Sequence, residues 1–179
     1  MKISILRLGH RKKRDVRVTT HCCLVARAFF ASDVTFSGES DESLEKTIKS
    51  VSKNWGGKFK IKYDPNWKKF LLSRKKRGDL IVHLTMYGKN FQESLPEIQK
   101  LSKKHNLLVI IGAEKGPGEV YRISDFNLSV TNQPHSEVAA LAIFLNELQN
   151  HSPLKNVAQT HFKSAKIKII PGQKGGKRA

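Results

Sequence analysis

The stretch VTNQPHSEVAALAIFLNEL (130–148) places amides, a proline and a histidine directly before a strongly apolar helix. Asn132 and Gln133 offer polar groups, and Pro134 suits a first helical turn, where its missing N–H costs nothing. Glu137 complements the positive end of the helix. A second loop, GAEKGPG (112–118), follows the apolar run LLVII and holds Gly112, Gly116 and Gly118. Its spacing is neither that of a Walker-type phosphate loop nor that of the dinucleotide fingerprint. A third segment, HLTMYG (83–88), leaves another apolar run through Tyr87 and Gly88. Ligands of open α/β sheets bind beyond the carboxyl ends of the strands. On spacing alone, these are loops for a ligand of unspecified chemistry.

Charge is the second signal. Lys and Arg number 33 against 15 Asp and Glu, a net charge of +18. That excess points to a polyanionic partner, and to nucleic acid before membrane, since no basic amphipathic helix stands out. RLGHRKKRDVR (7–17) carries Arg7, Arg11, Lys12, Lys13, Arg14 and Arg17 against Asp15 alone. KKFLLSRKKR (68–77) has no acid, and no acid follows Glu147. Three basic segments far apart in sequence can form one surface.

Other reactive groupings are weaker. His10, His21 and His135 match no metal-ligand spacing, so the sequence requires no metal. Ser136 beside His135 is no hydrolytic dyad, because neighbours on a helix point apart. The adjacent Cys22 and Cys23 cannot staple the fold and read as small core residues in a reducing, cytoplasmic setting. No run reaches the roughly 18 apolar residues of a membrane span, and the first residues lack a signal-peptide pattern.

These groups need a scaffold. Apolar runs at 3–8, 33–37, 58–63, 80–86, 107–111 and 126–130 read as strands, with helices near 18–31, 41–54, 65–76, 90–104 and 134–149 between them. The alternation predicts an α/β fold, a parallel sheet flanked by helices. In the last helix, Val138, Leu141, Ala142, Leu145 and Leu148 make one apolar stripe. Ala139, Ala140, Ile143 and Phe144 make another, and a partner subunit is the expected cover for it. Residues 1–150 read as one domain and 151–179 as a basic extension, with a short hairpin around 157–170 and a flexible end.

RLGHRKKRDVRVTTH, IIGAEKGPGEVY and NQPHSEVAALAIFL together closely resemble the archaeal tRNA (cytidine(56)-2'-O)-methyltransferases. These form a family of the SPOUT class of S-adenosylmethionine-dependent RNA methyltransferases, and the resemblance spans nearly the whole chain. It implies methylation of a ribose 2'-hydroxyl in tRNA, a C-terminal trefoil knot, and a homodimer with the site near its interface. In related enzymes an asparagine precedes an arginine by six residues. HCCLVAR aligns His21 with the asparagine and Arg27 with the arginine, so Arg27 is the implied catalytic residue and Arg17 the second choice. The implied cofactor site comprises Leu84, the loop Gly112, Ala113, Glu114, Lys115 and Gly116, and the segment Val130, Thr131, Asn132, Gln133, Pro134, His135, Ser136 and Glu137. Backbone groups of three converging loops can read adenine and ribose. Departures from the family pattern are His21, Ser136, Thr131 where glycine is expected, and Gly116 where valine is usual. Arg7, Arg11, Lys12, Lys13 and Arg14 are the expected RNA contacts. The competing reading, a non-catalytic basic RNA-binding protein, explains the charge and the tail but not the loops before the last helix.

Overall fold

The computed structural model describes residues 1–112, 116–155 and 161–178. Six strands form one sheet: β1 (Ile3–His10), β2 (Asp33–Gly38), β3 (Lys60–Tyr63), β4 (Leu80–Asn90), β5 (Leu107–Gly112) and β6 (Phe126–Ser129). Their order is β3-β2-β1-β5-β4-β6, and every pairing is parallel. The central strands are apolar on both sides, as a sheet covered on both faces requires. Ile5, Val34, Val82 and Val109 face the helices α1 (Val16–Ala28), α2 (Glu42–Trp55), α4 (Phe91–Leu101) and α6 (Glu137–Leu148). Leu6, Ile81, Leu108 and Ile110 face α3 (Trp67–Lys76) and α5 (Gly118–Ile123).

Side-chain caps set several helix starts. Asp41 accepts from the Leu44 N–H at 3.0 Å, Asn66 from Lys69 at 3.0 Å, and Asn90 from Gln92 at 2.9 Å. Ser136 caps α6, accepting from the Val138 N–H at 3.2 Å. The helix therefore begins at Glu137, and Pro134 lies in the loop before it instead of in the first turn. α5 arises where the sequence reads as turn; Pro117 at its N-cap starts the helix, and Val120 buries its apolar side.

α6 packs against α1 and α4. Of the second stripe, Ala140 and Phe144 are buried inside the protomer, with Phe144 against the Phe91 ring at 6.1 Å. Only Ala139 and Ile143 remain exposed there. The two stripes correct to one broad buried face with a narrow apolar ridge. Past α6, Ile169–Ile170 pairs antiparallel with Lys177–Arg178. This hairpin begins later than expected and uses the segment read as a flexible end. Residues 156–160, part of the expected hairpin, lie outside the described residues.

Candidate functional site

Beyond the carboxyl ends of the strands lies a cavity of about 820 Å³, within the usual size of small-molecule sites. Its walls come from the ends of β1 (Gly9, His10), β2 (Gly38, Glu39), β4 (His83–Met86) and β5 (Gly112), together with Val130, His135 and Glu137. Arg11, Arg14 and Asp15 close one side at the start of α1. Groups expected to hold a cofactor and groups expected to hold RNA thus line one cavity.

The β4 wall is not a regular strand. Leu84 and Lys89 both pair with Leu128, so residues 85–88 form a bulge within β4 that stands away from the ladder. Gly88 permits this, since a Cβ there would lie 2.5 Å from the Leu128 backbone nitrogen. The Asn132 amide donates to the carbonyls of Met86 at 2.6 Å and Gly88 at 3.2 Å. Asn132 therefore clasps one cavity loop to another. On the β5 side, Gly112 adopts φ +89°, a conformation that favours glycine, and packs against the Arg7 guanidinium. Ala113, Glu114 and Lys115 lie outside the described residues.

Arg7 departs from its expected surface role. Its side chain is 4% exposed and forms an ion pair with Glu137 at 3.1 Å across the start of α6. Burial pushes the Glu137 carboxyl above its ordinary range, and the nearby Arg7 charge opposes that shift. Arg11 stays at the surface, and its hydrogen bond to Asp15 holds that carboxyl below the usual range. Lys12 and Lys13 are exposed, and the Lys12 backbone N–H donates to the Glu39 carboxylate at 2.7 Å.

Two histidines that spacing did not single out as cavity residues line the wall. His10 Nδ1 shares a hydrogen bond with the Thr19 hydroxyl at 2.9 Å, and its Nε2 lies 3.4 Å from Asp41. The ring thereby locks the end of β1 to α1 and α2. The Asn127 amide N–H donates to the Tyr121 carbonyl at 3.0 Å, so its oxygen accepts from His83 Nδ1 at 2.9 Å. His83 Nε2 is then the unprotonated nitrogen, and burial holds the ring's pKa below the ordinary histidine value. HLTMYG marks this segment in the sequence; nothing in the sequence marks Gly38 and Glu39.

Arg27, the implied catalytic residue, is not among the residues lining this cavity. It sits in the last turn of α1, roughly 15 Å along the helix from Arg17 at 1.5 Å per residue. Its Nη2 donates to the carbonyls of Trp55 and Gly56, each at 2.7 Å, and the guanidinium lies 4.4 Å from the Phe162 ring centroid. Trp55 and Gly56 stand just before β3, at the amino ends of the strands, the end opposite the cavity. A motif match preserves spacing along a helix but does not say which end of it meets the site. Arg17 is exposed in the first turn, next to the cavity wall formed by Arg14 and Asp15. His21 is also exposed on α1.

The fold is that of the SpoU/TrmH methyltransferases. An Aquifex aeolicus TrmH/SpoU tRNA modifying enzyme superposes with a TM-score of 0.62 at 15% identity, covering 88% of this chain and 79% of that one. The SpoU methyltransferase AviRb from Streptomyces viridochromogenes, in complex with AdoMet, gives 0.58 at 14% identity, covering 84% and 58%. Residues 55–179 match the family described as tRNA ribose 2'-O-methyltransferase, aTrm56, and the chain belongs to that family. It is 49% identical over 175 residues to the tRNA (cytidine(56)-2'-O)-methyltransferase of Methanocaldococcus jannaschii, covering 98% of this chain and 94% of that protein. The enzyme of the same name from Thermococcus kodakarensis is 47% identical over 176 residues, covering 98% and 95%.

Proposed function

We propose that this protein transfers the methyl group of S-adenosylmethionine to the ribose 2'-hydroxyl of cytidine 56 in tRNA. The observation that carries the reading is the three-loop cavity, in a chain 49% identical along 98% of its length to a protein named for that reaction. A non-catalytic RNA-binding protein would leave the cavity without a purpose.

The residues present fit the cofactor. Leu84, Thr85, Met86, Gly112, Val130, His135 and Glu137 meet around a wall of mixed polar and apolar character. Leu84 and Val130 supply apolar surface, and the clasp from Asn132 fixes the spacing of the loops. Bound there, S-adenosylmethionine supplies an electrophilic methyl group on a sulfonium. The chain's part is alignment, since methyl transfer to oxygen is an in-line displacement. Arg14, in the cavity wall, and the exposed Arg17 three residues on hold the phosphate beside the target ribose and set the attack line. A guanidinium stays protonated, so these arginines position the ribose; as the 2'-oxygen gains the methyl carbon the carbon–sulfur bond breaks, S-adenosylhomocysteine leaves, and the hydroxyl proton passes to the adjacent phosphate or to water.

The family fold further supports three structural proposals. The segment after β6 passes the 85–88 bulge of β4 before α6 returns over the sheet, consistent with a C-terminal trefoil knot. The ridge of Ala139 and Ile143, with Val16 exposed on the neighbouring α1, forms the contact of a homodimer. The third places the enzyme in the cytoplasm, on the ground of its tRNA substrate; among the described residues no helix is long and apolar enough to cross a membrane.

Calorimetric titration of the purified protein with S-adenosylhomocysteine tests the reading without RNA. Saturable binding of one molecule per chain, lost on Gly112→Val, is expected. No binding at millimolar ligand would return the chain to the class of simple RNA-binding proteins.

A further inference from the structure

β3 is the open edge of the sheet, and its solvent row consists of lysines. Lys60 and Lys62 are exposed on either side of the buried Ile61, and Lys58 precedes them. Alternate residues of a strand stand about 6.7 Å apart on one face. Like charges so placed repel unless an anion lies across them. Among the described residues none of the three forms an ion pair; the Asp33 carboxylate, beside Lys60 in register, is taken by Lys2 at 2.9 Å.

The C-terminal segment docks at the head of this row. Gly57 N–H donates to the Lys163 carbonyl at 3.2 Å, and the Lys166 and Ile167 N–H groups both donate to the Asn54 carbonyl at 2.9 Å. Phe162 stacks under Arg27, which also grips the Trp55 and Gly56 carbonyls. A chain stretch without a single acidic residue after Glu147 is thereby fixed against the start of a lysine-lined edge. At the other end, the Tyr63 hydroxyl donates to the Gly38 carbonyl at 2.9 Å, and Gly38 is part of the cavity wall. The cations run from the docked tail, along the edge strand, to the mouth of the cavity.

We infer that the β3 edge and the docked C-terminal segment form one track for an RNA phosphate backbone, with Arg27 as the positioning residue that holds the tail against it. The inference rests on the tRNA reading above. Edge lysines also discourage pairing between sheets. That purpose alone would not require a basic tail bound at the head of the row, nor an exit at the cavity.

The test is salt-dependent binding of a fluorescent, unmodified tRNA transcript, followed by anisotropy. Each lost phosphate contact on RNA flattens the log–log slope by roughly 0.7. Lys58→Gln/Lys60→Gln/Lys62→Gln should flatten it by about 2 and weaken binding about tenfold. Lys100→Gln/Lys103→Gln/Lys104→Gln, on the α4 side, should leave the slope unchanged. Arg27→Ala and Phe162→Ala should both raise the KM for tRNA several-fold while kcat stays within about twofold. Binding of S-adenosylhomocysteine confirms that each variant is folded. A wild-type slope in the β3 triple variant overturns the track, and aggregation at that same slope would assign the lysines to edge protection alone. A large fall in kcat for Arg27→Ala at unchanged KM would return Arg27 to the reacting centre. Failure of the methylation reading is seen separately, as no methyl transfer by the wild type while the slopes still differ.

Discussion

The buried pair Arg7–Glu137 joins β1 to the start of α6 and borders the cavity, so breaking it should cost stability in an asymmetric way. The side chains are 4% and 27% exposed, at 3.1 Å. Removing one partner of a buried pair costs about 3–5 kcal/mol, because the other charge is left without compensation. In Glu137→Met the survivor is a guanidinium that cannot deprotonate, and the loss should lie near the upper end, about 4 kcal/mol at any pH from 5 to 8. In Arg7→Met the survivor is a carboxyl that burial already pushes up, and it can escape by binding a proton. Its folded pKa then rises further above the unfolded value. Stability from the neutral form is present at low pH and is lost as pH rises through that folded value. The loss in Arg7→Met should therefore be about 1 kcal/mol near pH 5 and about 3 kcal/mol at pH 8. Urea unfolding at several pH values, with a common m-value, measures both. Losses under about 1 kcal/mol for both variants, or the same pH dependence in the two, would refute this account of the pair.

Other consequences are more direct. Gly88→Ala sets a Cβ 2.5 Å from the Leu128 backbone nitrogen, and calorimetry should report a loss of about 2 kcal/mol. Asn132→Ala releases the clasp on Met86 and Gly88, so affinity for S-adenosylhomocysteine should fall about tenfold with melting temperature little changed. Ile143→Glu, at a half-exposed position, should give folded monomers in sedimentation, whereas Phe144→Glu, fully buried, should not fold. His83 is held neutral by burial, so the unfolded chain binds its proton first as pH falls. Stability should then decline below about pH 6.5 toward the lower folded value, and His83→Gln should remove that part of the decline.

The sheet was legible because its signals are local. An all-apolar LLVII can only be a strand covered on both faces, and β5 is buried throughout except Gly112. The loops at the carboxyl ends were legible for the same reason, since Val130, His135 and Glu137 follow one strand in direct succession. Residues that reach the cavity through tertiary contacts were not. Glu39 arrives from the end of β2, and His10 is aimed by Thr19 and Asp41, partners 9 and 31 residues away. Arg27 and Arg17 lie on one helix, and a motif spacing cannot tell the end that meets the site from the end that meets the tail. Arg7 reads as one cation of a basic run, yet strand alternation on β1 turns it inward to Glu137. The α6 stripes failed in a similar way. Apolar residues all around a helix signal burial, but Phe91 of the same chain, not a second subunit, covers Phe144.

The central claim is methyl transfer to one hydroxyl of one nucleotide. Incubating the purified protein with radiolabelled S-adenosylmethionine and an unmodified tRNA transcript, then mapping the label by nuclease digestion and mass spectrometry, tests it most directly. The account predicts a single label on the ribose 2'-oxygen of cytidine 56, absent when that nucleotide carries 2'-deoxyribose. Label on a base, on another nucleotide alone, or unaffected by the deoxy substitution would contradict it.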